Sequence, residues 1–286
     1  MAIITYTSLS HIGKLNINER PNTQEQFDNL NELAHAFSPS PFDLIRLSMT
    51  QPLTSQYCAA YSLTAAAATL GLLPRNEEIL LTSHEGCVRS ATLKYDDNFT
   101  TLALKLYKLT RFDVEEIQNF FDVRSVPAEI EKGGSVPQRV TEVACKLGMN
   151  AELFVTKEAQ SNFFKLAQDQ IKLLGLSTSP EKVLAFMFGN GYTSAEPTMP
   201  IPKADELNLV LVQTPVKTLH WVALSSDGTY FDSLRNFQPG GRFGCVGSVW
   251  SSRPYVDTGV WITVSNSTMT DKVTPKLNVT SAFKYD

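Results

Sequence analysis

The stretch that most constrains this chain is QPLTSQYCAAYSLTAAAATL, residues 51–70. It holds Ala65, Ala66, Ala67 and Ala68 in succession, framed by Ala59, Ala60, Leu63 and Leu70. Alanine and leucine are strong helix formers, and a run apolar on every side suits a helix covered on most of its surface. Cys58 stands at the mouth of that helix, behind Gln51 and Gln56. There, unpaired backbone N–H groups and the positive end of the helix dipole favour a thiolate. A cysteine so placed is either an installed nucleophile or an inert buried thiol, the commoner role of a free cysteine. A nucleophile needs a base, so the rest of the chain has to be searched for one.

The candidate base lies in LHWVALSSDGTYFDSL. Two β-rich runs, Leu219–Leu224 and Thr229–Asp232, flank Ser226-Asp227-Gly228, which reads as a tight hairpin turn. His220 is one of four histidines in the chain and sits in a strongly apolar strand. Asp232 follows across the turn, and a hairpin carries the two to the same end of a sheet. There Asp232 can accept the His220 ring N–H and fix its tautomer. Thiol, imidazole and acceptor are the three parts that nucleophilic catalysis by cysteine needs. Each has a plainer role: a core histidine bonded to a carbonyl, an aspartate forming a turn. Their joint occurrence with a helix-start cysteine favours the catalytic reading.

The bulk properties remove several other classes. The 286 residues are 43% hydrophobic, enough for one large domain or two small ones with ample core. A net charge of -4 and no basic cluster argue against nucleic acid as a partner. No stretch approaches membrane-spanning length, and the start lacks the charged and apolar regions of a secretory signal. The four cysteines, Cys58, Cys87, Cys145 and Cys245, are widely spaced and read as reduced thiols of a cytosolic-type setting. An effector injected into a host cell also needs no such signal. His84 and Cys87 invite a metal reading, but no second pair stands at ligand spacing, so neither metal nor cofactor is expected.

Along the chain, residues 1–20 suggest one or two short strands, and Phe27, Leu30, Leu33, Ala34 and Phe37 have helical spacing up to Pro39 and Pro41. A short helix at Phe42–Leu47 leads towards the Cys58 helix, which stops near Gly71. Leu102–Leu109 and Val114–Phe121 carry helical spacings. Ser135 reads as the N-cap of a helix that runs down to Gly148, and Asn150–Val155 as the strand after it. Helices follow over 158–175 and 181–188, then an exposed loop from Gly189 to Pro202 that reads as a substrate-side lid. Leu207–Gln213 precedes the His220 hairpin, and Gly259–Val264 is the last strand. Helices first and an antiparallel sheet last predict a single α+β domain over 1–264, with an N-terminal extension over 1–41 and a tail over 265–286.

A cysteine on an N-proximal helix, with histidine and aspartate on a later sheet, resembles the papain-like superfamily. Three blocks carry a closer likeness: QYCAAYSLTAAAATLGL, GGSVPQRVTEVACKLGMNAELFV and PVKTLHWVALSSDGTYFDS, about a fifth of the chain. They resemble the invasion plasmid antigen J effector family of cysteine proteases. The first and third are fairly specific, and the middle one is a generic helix and strand. The resemblance implies Cys58 as nucleophile, His220 as base and Asp232 as orienter, on a papain-like fold whose nucleophile helix packs on the sheet. Two positions depart from the family pattern. Ala59 follows the cysteine where glycine is common, and Pro52 stands where the oxyanion glutamine usually lies. Gln51 is one residue further away and is the preferred donor, with Gln56 as the fallback.

The resemblance implies cleavage of an amide bond through a thioester acyl-enzyme. Within that family it implies a protein partner, a lipidated host small GTPase cut after N-myristoylated glycine. Such a substrate asks for an apolar groove, for which Phe163, Phe164, Phe186 and Phe188 are candidates, although helical phenylalanines belong to cores more often. Glutamine deamidation and acyl transfer use the same triad and differ only in the acceptor. A catalytically silent binding module is the alternative outside enzymes.

Overall fold

The computed structural model describes residues 50–52, 55–82, 88–112, 114–122, 134–174, 176–195, 198–234, 245–250 and 253–267. The strands expected within 1–20, the helices expected within 22–47, the His84–Cys87 pair and the chain beyond 267 lie outside these residues.

Six helices are described: α1 (Cys58–Thr69), α2 (Phe99–Thr110), α3 (Val114–Phe121), α4 (Pro137–Lys146), α5 (Lys157–Leu174) and α6 (Pro180–Phe188). A small hairpin pairs β1 (Glu77–Thr82) with β2 (Val88–Leu93). The main sheet contains β3 (Met149–Thr156), β4 (Thr193–Ala195), β5 (Glu206–Gln213), β6 (Leu219–Leu224), β7 (Thr229–Asp232), β8 (Cys245–Val249) and β9 (Val256–Asn266). Its order is β4-β3-β9-β5-β6-β7-β8.

The fold is α+β and papain-like in plan, with the cysteine helix packed on a largely antiparallel sheet. Two details differ from the sequence expectation. The sheet recruits β3 from the middle of the chain, and β4, inside the expected Gly189–Pro202 loop, pairs parallel to it. The last strand also runs beyond Val264: β9 reaches Asn266, whose side chain donates to the Leu70 carbonyl at 3.1 Å. That bond ties the end of β9 to the end of α1.

The sheet is covered on both faces. Leu207, Leu209 and Leu211 of β5 join one core with Trp221, Ala223, Ile262 and the helices. Val210 and Val212, at the alternate positions, join a second with Val222, Tyr230, Tyr255 and Trp261. This two-sided burial explains why β5 reads as a continuous apolar run rather than an alternation. The groove candidates Phe163, Phe186 and Phe188 are buried in the larger core, where Phe163 and Phe188 meet edge to face at 5.5 Å. Aromatic rings gain most from such packing, and these three are not groove walls.

α1 is what the sheet is built to receive. All twelve of its residues are buried, and it packs on β5, β6 and β7 with α2 and α4 alongside. Its alanines let the helix backbone approach the sheet closely. Gly71, at φ +71°, ends it while the Leu70, Gly71 and Leu72 N–H groups return to the last carbonyls. α4 corrects a predicted cap: Val136 is the N-cap and Pro137 the first helical residue. Proline fits there because the N–H it lacks has no partner within the helix, and its fixed φ suits the first helical position. The Ser135 hydroxyl instead bonds Thr110 Oγ1 at 2.8 Å.

Candidate active site

The β6–β7 ladder pairs Leu224 with Tyr230 and Ala223 with Phe231, across the turn that the sequence predicts. At the turn Gly228 takes φ +80°, and Asp227 Oδ1 accepts the Thr229 N–H at 2.9 Å. Two residues further along β6, the Trp221 backbone meets α1. The Ser62 hydroxyl donates to the Trp221 carbonyl at 3.0 Å, and the Trp221 N–H reaches the Cys58 sulfur. A buried peptide group must find partners, and here α1 supplies both. The register of helix on strand therefore sets the thiol beside the residue preceding Trp221, which is His220.

His220 and Asp232 are 2% and 1% exposed, and His220 Nε2 lies 2.8 Å from Asp232 Oδ1. With Nε2 donating its proton to the carboxylate, Nδ1 is the nitrogen left for Cys58, whose side chain hydrogen-bonds His220. The structure thus brings together all three residues that the sequence singled out for the chemistry.

The electrostatics follow from this geometry. Burial alone would push the Cys58 thiol up. The hydrogen bond and charge of His220, aided by the Trp221 and Ala59 backbone N–H groups, more than offset it and hold the thiol below its ordinary value. Burial likewise works against a charged His220. The Asp232 carboxylate beside it, and then Cys58, push it up to about 9. Both shifts act in the direction of a thiolate facing an imidazolium, in a site buried enough for that attraction to count. Tyr107 of α2 closes one side, its ring 4.5 Å from that of Tyr57. Burial pushes its phenol up to about 12, with Tyr57 and then Cys58 adding to the rise and Arg111 opposing it.

The two glutamines are placed differently. Gln51 is buried, and its backbone N–H donates to the Ser233 carbonyl at 2.9 Å. Its Oε1 accepts the Ser233 hydroxyl at 2.8 Å, and its Nε2 donates to the Ser55 carbonyl at 3.1 Å. These bonds tie the segment before Cys58 to the residue after Asp232. The amide carries a second N–H that is left to donate. Gln56 has no such anchor, and its Oε1 is buried without a hydrogen-bond partner among the described residues.

One contact was beyond sequence reasoning. Tyr255, just ahead of β9, donates its hydroxyl to Asp232 Oδ2. Oδ1 also accepts the Leu234 N–H at 2.8 Å. Nothing in the spacing of Tyr255 marks it, because it belongs to neither the hairpin nor the helix. Among the described residues, no group of three or more His, Cys, Asp or Glu could hold a metal ion, and no helix is long and apolar enough to cross a membrane.

Residues 50–267, about three quarters of the chain, match the family described as Invasion plasmid antigen J, cysteine protease. No curated protein and no solved structure matches.

Proposed function

We propose, for a chain that belongs to the invasion plasmid antigen J family of cysteine proteases, that Cys58, His220 and Asp232 form the triad that does its chemistry. The observation that carries this reading is the buried His220–Asp232 pair at 2.8 Å, with the Cys58 thiol hydrogen-bonded to the same ring. His220 Nδ1 holds the proton taken from the thiol. The thiolate attacks the scissile carbonyl carbon, and the oxygen gains the charge. The Cys58 backbone N–H and the free N–H of Gln51 are the donors aimed at that charge. Gln51 is preferred over Gln56 because its amide is already oriented by Ser233. His220 then gives its proton to the leaving amine as the C–N bond breaks, leaving a thioester on Cys58. Water, deprotonated by His220, attacks the thioester, and the acid departs as the thiol re-forms.

The substrate in this reading is a host protein carrying N-myristoylated glycine, a lipid-anchored small GTPase, cut just after that glycine. The enzyme would meet it inside the host cell as a bacterial effector. Family membership and the reduced-type cysteine chemistry support this substrate and setting. The test is a pair of peptides of one sequence, with and without the N-myristoyl group, followed by mass spectrometry. The reading expects a fragment beginning after the first glycine, from the acylated peptide only, and none with Cys58→Ala. Equal cleavage of both peptides removes the lipid from the proposal. A mass change without a fragment would make the enzyme a deamidase or acyltransferase.

A further inference from the structure

We propose that Tyr255 is a positioning residue of the site, holding the Asp232 carboxylate in its hydrogen bond to His220 and tempering its negative charge. The inference rests on the triad reading above and adds a fourth member to it.

Asp232 is a carboxylate 1% exposed to solvent, and each oxygen can accept two hydrogen bonds. Oδ1 takes the His220 Nε2–H and the Leu234 N–H, and Oδ2 takes the Tyr255 hydroxyl. A carboxylate turns freely about its last bond unless both oxygens are held. The Leu234 and His220 bonds converge on one oxygen, so the Tyr255 bond to the other is what fixes the plane. The Tyr255 ring adds a second contact, tilted at 51° with its centroid 5.8 Å from that of His220. Tyr255 is itself set in the second core between Tyr230 and the valines of β5 and β6, on the stretch that leads into β9. One rigid side chain thus spans from the sheet core to the acid of the triad.

The electrostatic consequence follows. The titratable groups facing His220 are Cys58 from α1, Asp232 from β7 and Tyr255 ahead of β9, with Tyr107 of α2 beyond the thiol. A hydroxyl donated to Oδ2 draws off part of the charge that Asp232 otherwise directs at the imidazolium. Without it, His220 would hold its proton more tightly and release it less readily to a leaving amine.

The experiment measures the rate of Cys58 alkylation by iodoacetamide against pH in the full chain, for wild type, Tyr255→Phe and Tyr230→Phe. Phenylalanine keeps the ring and its packing in both variants. Tyr230→Phe removes a hydroxyl from the same core without touching Asp232. In the wild type, the rate should rise once as the thiolate forms and again as the imidazolium is lost. Tyr255→Phe should raise the second midpoint by about half to one pH unit, while Tyr230→Phe leaves both midpoints in place. In a His220→Ala background, Tyr255→Phe should change nothing further. An unchanged or lowered second midpoint in Tyr255→Phe, beside a wild-type profile with two midpoints, overturns the role of Tyr255 and spares the triad. A wild type that titrates in one step like a free thiol overturns the triad and the role of Tyr255 with it.

Discussion

At the residue scale the site is a balance between burial and charge, and each partner can be removed separately. The Cys58 thiol is held below its ordinary value by His220 against a burial penalty of the opposite sign. His220→Ala deletes the larger part of the offset and leaves the burial penalty, the largest single influence, so the thiol should titrate at or above the ordinary value of about 8.5. At pH 7 that leaves a few per cent as thiolate, and alkylation of Cys58 should slow about 30-fold or more. An unslowed variant would mean that the helix terminus alone activates the sulfur. Asp232→Asn keeps an acceptor for Nε2 but removes the charge that is the main force raising His220. The midpoint near 9 should then fall towards 6.5, read by NMR of the imidazole or by the alkylation profile.

The same pair predicts a pH dependence of stability. His220 is raised from 6.5 to about 9 on folding, so its contribution is complete below 6.5 and is lost as the pH rises through about 9. Chemical denaturation of the wild type between pH 6 and 10 should show this alkaline loss, and Asp232→Asn should show less of it. His220 and Asp232 were legible in the sequence because an Asp-Gly turn fixes their register. Tyr255 was not, because its contact arises from the packing of a separate strand.

At the element scale, α1 governs where the thiol sits. Ser62 and Cys58 both use the Trp221 backbone, one through its carbonyl and the other through its N–H. Helix position and His220 position are therefore one variable. Ala66, fully buried within α1, has no room for a larger side chain. Ala66→Leu should destabilise the fold by about 1–3 kcal/mol, and the strain should displace α1 along β6. The check is a urea midpoint together with the Cys58 alkylation rate, and both should fall. A lower midpoint with full reactivity would show that the helix gives way elsewhere.

The alanine run made α1 legible from sequence alone. The β1–β2 hairpin was not, because its buried residues are few: Ile79 and Leu81 on one strand, Ala91 and Leu93 on the other, with only Ile79 and Ala91 directly opposite. Its outer face even carries Leu80 and Val88, so no clean alternation marks it. The short β4 was hidden for a related reason, being three residues held by pairing with β3 rather than by its own pattern.

At the scale of the whole molecule, the strand order explains how residues so far apart in sequence are held in register. β9, the last described element, lies third in the sheet, between β3 and β5. It pairs with β3 from Met149 to Val155 and with β5 from Glu206 to Gln213. Sequence could count these strands but not order them, because pairing depends on packing between segments a hundred residues apart. Near its start β9 shifts register against β5 between Leu211 and Val212, and Gly259 stands there at φ +77°. A methyl group on Gly259 would press on Thr156 Oγ1, and the backbone angle itself disfavours any other residue. The Thr156 hydroxyl also accepts the Ala159 N–H at 3.0 Å, so it has little freedom to yield.

Gly259→Ala should therefore weaken the join between the β4-β3 part of the sheet and the β5–β8 part that carries His220 and Asp232. The expected cost is about 1–3 kcal/mol, seen as a lower denaturation midpoint. Because Tyr255 leads directly into this strand, the Cys58 alkylation profile should shift as well, in the direction expected for Tyr255→Phe. A destabilised protein with an unshifted profile would mean that Tyr255 is held by the second core alone. A shifted profile would make β9 the element through which the sheet as a whole sets the position of Asp232.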